Sequence, residues 1–172
     1  MRDNRIKLAG LLALAAALNV GSGAISEANA QQANTITIDG IGGIRIGMTL
    51  RQIAPLLEPA SDWNRAHGRY STRSGLTVVT GGHGIAELVF TETARTATLS
   101  GARLGMSDRA LRGLYPRSLV RTGTPDDTAP SDWTYYYYSS SYNGIRFDLV
   151  NGQIRQIRAG KRPEISSEEF CS

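Results

Sequence analysis

The sequence is short of the residues on which site chemistry usually depends. It has one cysteine, Cys171, and two histidines, His67 and His83. A lone cysteine closes no internal disulfide. It leaves an intermolecular or mixed disulfide, or an inert buried thiol, and its place next to the last residue favours the first. The histidines fall in separate polar loops with no carboxylate at a set spacing, too few ligands for a metal. No nucleophile elbow and no phosphate-cradling glycine run with a lysine occurs. The acidic pairs Asp126-Asp127 and Glu168-Glu169 lie in exposed or terminal segments, without the apolar setting that acid–base chemistry needs. Neither catalysis, nor a metal, nor a cofactor is expected.

Blocks of one charge are missing too. The formal net charge is +4, but basic and acidic residues alternate in pairs such as Arg109 with Asp108, Arg146 with Asp148 and Lys161 with Glu164. A nucleic-acid interface needs basic clustering, so that class is excluded. The pI of about 9.5 speaks to solubility. Long apolar runs are absent except for Leu8 to Val20, well short of the roughly 20 residues that span a bilayer. Arg2, Arg5 and Lys7 precede this run and Ala28-Asn29-Ala30 follows it, the pattern of an export signal cleaved after Ala30. No cysteine stands near that site to carry a lipid. The expected product, Gln31 to Ser172, is periplasmic or secreted and long enough for one compact domain or two small fused ones.

What the chain does have, it has twice. Gly43-Ile44-Arg45-Ile46-Gly47-Met48-Thr49 returns 58 positions on as Gly101-Ala102-Arg103-Leu104-Gly105-Met106-Ser107. A second echo, Gly75-Leu76 with Ile85 and Leu88, returns as Gly144-Ile145 with Ile154 and Ile157, now 69 positions on. The second copy therefore carries an 11-residue insertion between the two matches. The boundaries expected are residues 1–30 for the signal, 31–98 for the first repeat and 99–172 for the second.

Each motif reads as a strand end entering a helix. Thr49 with Gln52 makes a capping box, Ser107 caps in the second copy, and Met48 and Met106 have staple spacing to Ile53 and Leu111, beside which they should be buried. Ile53, Leu56 and Leu57, then Leu111, Leu114 and Tyr115, form short apolar stripes ended by Pro59 and Pro116. Pro55 makes the first helix short, kinked or partly a turn. Thr35 to Ile38 alternates as a half-buried strand. Strand pairs follow each helix: Leu76 to Thr80 with Ile85 to Thr91, and Ile145 to Leu149 returning through Asn151-Gly152, a type I′ turn signal. The returning strands space their apolar residues three apart, which implies a bulge or burial on both faces. Gly123 to Asp132 reads as a surface loop. The fold class expected is α+β: two tandem repeats, each a short helix on antiparallel strands, joined into one sheet.

The insertion holds the aromatic run. In an extended strand Trp133, Tyr135 and Tyr137 share one face, and Tyr136, Tyr138 and Tyr142 the other. One face meets the helix; the other is expected to expose a row of amphipathic rings, raw material for a protein interface or a sugar-stacking surface. These six residues are the candidate binding site.

The motif Arg-Ile-Gly-Met-Thr followed by an amphipathic turn, met twice in an exported chain, resembles the tandem-repeat fold of secreted β-lactamase inhibitor proteins and of small outer-membrane assembly lipoproteins of the BamE type. That resemblance implies a helical segment on an antiparallel sheet in each copy. The tail Gly160-Lys161-Arg162-Pro163-Glu164-Ile165 with a late cysteine resembles a group of exported bacterial proteins. That group carries a second cysteine near the position of Ala66 to Tyr70, and its absence here removes the disulfide. The function expected is a non-catalytic binding protein for an envelope or secreted partner protein. An envelope assembly or structural factor is the alternative, and a hydrolase stands third.

Overall fold

A computed structural model of the chain describes residues 35–122, 132–138 and 142–166. The expected leader, both acidic pairs, Cys171 and nearly all of the Gly123–Asp132 loop lie outside them. The described chain is α+β and dominated by sheet.

The glycine-rich start folds as a narrow meander. Strands β1 (Thr35–Thr37), β2 (Gly40–Ile41) and β3 (Ile44–Arg45) run antiparallel, and β1 also takes β7 (Ala97–Thr98) in parallel, giving the order β3-β2-β1-β7. Gly40 is obligatory: φ is 147°, and a Cβ there would sit 1.9 Å from the Ile44 carbonyl oxygen.

The other seven strands form one antiparallel sheet. These are β4 (Arg69–Ser71), β5 (Leu76–Thr80), β6 (Ala86–Thr91), β8 (Leu119–Thr122), β9 (Trp133–Tyr138), β10 (Asn143–Val150) and β11 (Gln153–Lys161). Their order is β4-β5-β6-β11-β10-β9-β8. β6 pairs with β11 from Leu88↔Gly160 to Thr91↔Ile157, so both halves of the chain enter one sheet. The single sheet expected is corrected to two, because the strand read at Thr35 to Ile38 belongs to the small sheet. This small sheet packs over one face of the large one and closes a core of Ile36, Ile41, Ile44, Val78, Val89, Phe147, Leu149, Ile154 and Ile157.

Four short helices complete the described chain. α1 (Leu50–Ile53) runs into a 3₁₀ turn (Ala54–Leu56) at Pro55. α2 (Asp62–Ala66), which the sequence reading missed, is capped by Ser61. α3 (Asp108–Leu114) follows Ser107, and α4 (Arg162–Ser166) follows β11. Thr49 forms the expected capping box, with its side chain accepting from Gln52 N and Gln52 Oε1 accepting from Thr49 N. Ser107 accepts from Ala110 N at 3.4 Å. Ile53 and Leu111 are fully buried. Tyr115 of the second stripe is buried in the core as expected and Leu57 of the first is half-buried against it, but Leu56 and Leu114 are exposed, because α1 ends after one turn and α3 after two. Met48 and Met106 are half-buried at the rim of the core.

The two Gly-Met segments make the same three backbone contacts. Gly47 N donates to Ala86 O, Ala86 N to Met48 O and Leu50 N to Gly84 O; Gly105 N donates to Ile154 O, Ile154 N to Met106 O and Asp108 N to Gly152 O. Both returning strands carry a bulge, at Glu87 and at Arg155, where the register slips by one residue. The bulge keeps residues three apart on the core face. In β11 these are Ile154 and Ile157, as expected. In β6 they are Ala86 and Val89, while Leu88 crosses to the other face. The sequence match of Ile85 to Ile154 is thus one residue off, because five residues separate the paired Thr80 and Ala86 and four separate the paired Leu149 and Ile154. The turn at Asn151-Gly152 has φ of 53° and 72°, as type I′ requires.

Candidate functional site

The aromatic strand β9 lies one strand in from the sheet edge, and this decides what its rings can do. Tyr135 faces the core at 3 % exposure, with Trp133 and Tyr137 half-buried beside it. Tyr136 and Tyr138 face the other way. The expectation that one of the two rows is open to solvent is corrected: Tyr136 is 6 % exposed, Tyr138 is half-buried, and the two rings stack at 5.6 Å with 9° between planes. Of the six candidates only Tyr142 is fully exposed.

Two devices cover that second face. α4 lands on Gly144 and Gly160, paired on adjacent strands. A Cβ on either would come within about 3 Å of Ile165, so the two glycines make the seat for this side chain. Ile165 then closes a small cluster with Val79, Leu88, Phe90 and Tyr136. Next to it lie Arg146 and Arg158, cross-strand partners whose side chains are almost fully buried. Arg146 Nε donates to Asp148 Oδ1 at 2.6 Å and Arg146 Nη1 to Ile165 O at 3.1 Å. Arg158 Nε is 3.0 Å from Asp148 Oδ2, an ion contact without hydrogen-bond geometry, and donates to Gln156. Buried charge is tolerated only when paired, and here a carboxylate bridges two guanidiniums. Of the three charge pairs read from sequence only Arg146 with Asp148 meets; Asp108 takes Arg112, and Lys161 takes Glu87. Along β10 an arginine alternating with apolar residues looks like an ordinary solvent-facing position, which is why its burial was not legible.

An opening lies on the core face. A cavity of about 950 Å³ separates the small sheet from the end of β9 and β10. One wall is the ribbon from Thr35 to Arg45, another is Thr98 to Ser100, and Tyr115, Tyr137 and Ile145 also line it. Tyr115 and Tyr137 meet at 5.1 Å between centroids, tilted by 47°. The Tyr115 hydroxyl donates to Thr98 Oγ1 at 2.8 Å, and Thr98 Oγ1 in turn accepts from Ala102 N at 2.9 Å, so this ring is held firmly. Asn143 Nδ2 donates to Asp39 Oδ1 and ties the ribbon to β10. Leu99 stands exposed among the lining residues. The lining side chains that reach the surface are Ile38, Leu99 and Tyr137 with Thr35, Thr37, Asp39, Arg45 and Ser100, while Ile36, Ile41, Ile44 and Ile145 lie buried beneath them.

Of the candidate residues, only Tyr137 lines this cavity; the ribbon residues and Tyr115 were not read as a site. A signal for them existed in the density of isoleucine and glycine from Ile36 to Ile46, but it reads equally as core. His67 Nδ1 lies 2.7 Å from the Trp63 carbonyl oxygen and its ring stacks on Trp63, at the surface of α2. His83 is exposed in the β5–β6 connection. Among the described residues no three His, Cys, Asp or Glu side chains converge as metal ligands, and no helix is long and apolar enough to cross a membrane. No family model, curated protein or solved structure matches the chain.

Proposed function

We propose that this is an exported, non-catalytic binding protein that takes an apolar segment of an envelope or secreted partner protein into the cleft beneath the Thr35–Arg45 ribbon. The observation that carries the reading is the cavity itself, with a tyrosine of the aromatic strand, Tyr137, in its lining. Its volume lies in the range of ligand sites, and its lining mixes Ile38, Leu99 and Tyr137 with threonine, serine, Asp39 and Arg45. Tyr137 and Tyr115 supply large rings at low entropic cost, as anchor sites do. The charged start, apolar run and Ala-x-Ala site support export. The matched backbone contacts at Gly47-Met48 and Gly105-Met106, with a bulge after each, support a duplicated unit divided near residue 98.

The test is capture from periplasmic or culture-supernatant extract by the mature chain. Tyr137→Ala should weaken binding of the captured protein by at least about 30-fold, equivalent to about 2 kcal/mol, while the domain stays folded. Tyr142→Ala should leave it unchanged. Unchanged binding by a folded Tyr137→Ala variant would place the interface elsewhere.

A further inference from the structure

The two ends of the seven-stranded sheet are treated differently. At β4 the outer edge is occupied: Glu58 N donates to Ser71 O, Arg73 N to Leu56 O, and Leu57 bridges to Thr72, so the segment after α1 serves as a cover. At β8 the described residues provide no counterpart. Among the described residues β8 pairs with β9 alone, and Tyr115, which follows α3, turns inward to Thr98 instead of covering the edge. An open strand edge presents a row of backbone donors and acceptors, a template for one more strand.

The side chains say what kind of strand fits. Val120 stands opposite Tyr136 and is 52 % exposed, so it offers apolar surface on one face. Arg121 stands opposite Tyr135 on the other face, with its guanidinium over the Trp133 ring. Arg117 is exposed just before the strand, and no acidic residue occurs from Tyr115 to Thr122. Because side chains alternate between faces, a strand added here meets an apolar position on one side and a basic one on the other. A second copy of the chain is a poor occupant. Pairing β8 with itself gathers two sets of Arg117 and Arg121 on one ribbon without a counter-charge.

We propose that the β8 edge is a strand-addition site for an extended partner segment that alternates apolar with acidic residues. The surface is distinct from the cleft, so this proposal and the cleft reading stand or fall separately.

The probe is a capped six-residue peptide of alternating valine and glutamate, with a valine–lysine peptide and a proline-interrupted valine–glutamate peptide as controls. Backbone amide exchange of the mature chain is followed by NMR at up to about 5 mM peptide, a range suited to a short segment with few anchors. The outward-facing amides among Val120 to Thr122 should exchange at least about ten-fold more slowly with the glutamate peptide, and the effect should fade in high salt. The proline peptide should do nothing. Arg121→Glu, at an exposed position, should move the preference from the glutamate to the lysine peptide. The proposal is overturned if β8 exchange is unaffected at the highest peptide concentration, if the lysine peptide protects equally well, or if the charge reversal leaves the preference as it was. Sedimentation that shows a dimer protected at β8 would assign the edge to a second copy and overturn it as well.

Discussion

At the scale of single residues, Tyr135 shows how the aromatic strand is tied to the rest of the molecule. Its hydroxyl donates to Asp108 Oδ1 at 2.6 Å, joining β9 to the first turn of α3, and Asp108 also pairs with Arg112 at 3.1 Å. Burial, then the hydrogen bond to Asp108 and its negative charge, hold the phenol above its ordinary value of 10.0. A raised folded-state value means that the fold favours the neutral phenol. The stabilisation is therefore complete below pH 10 and is lost as pH rises through the folded-state value. Tyr135→Phe should cost about 1 kcal/mol in urea unfolding at pH 7. It should also flatten the alkaline fall in stability. Lys161, held up by its hydrogen bond to Glu87, titrates in the same direction, so the informative quantity is the difference between the wild-type and Tyr135→Phe curves. Equal alkaline slopes would remove Tyr135 from this account.

At the scale of elements, the helix starts were the most legible part of the chain. A cap is a local device: a hydroxyl, a side chain three residues on and a flanking apolar pair are all written within seven positions. The two caps differ in strength. Both hydroxyls accept from the backbone N–H three residues on at 3.4 Å, and Thr49 Oγ1 also donates to Gln52 Oε1 at 3.0 Å. Thr49→Ala should therefore cost about 1 kcal/mol and Ser107→Ala clearly less, read from unfolding midpoints at constant denaturant slope. Equal losses would mean that the hydroxyl's bond to the Gln52 side chain contributes nothing. Strand positions were legible where turn chemistry was explicit, as at Asn151-Gly152, and the three-residue spacing announced the bulge in β11, whereas in β6 it pointed to Ile85 and Leu88 instead of Ala86 and Val89. Strand neighbours were not. Nothing within Tyr135 to Tyr138 says that β8 will flank it, or that α4, nearly thirty residues on, will seat Ile165 over its outer row. Such pairings depend on the whole sheet, and they turned an expected exposed row into a covered one. α2 was missed because Asp62 to Ala66 has no buried residue to set a period.

At the scale of the whole molecule, two sheets of unequal size face each other, and the smaller one fails to cover the end of the larger. The gap is the cleft. Sequence periodicity finds residues that are buried, but a cavity is a shortage of burial that arises only when distant elements meet, here the Thr35–Arg45 ribbon and Tyr137. The export half of the account has its own check. Mass spectrometry of the protein recovered from outside the cytoplasm should show a chain beginning at Gln31. Recovery of intact chains beginning at Met1 in the cytoplasm alone would end that reading. The binding half is tested most directly by hydrogen exchange of the mature chain with and without its captured partner. Protection is expected in residues 35–45, 97–100 and at Tyr137. If protection falls only outside these segments and exchange across the ribbon is unchanged, the cleft is not the binding site.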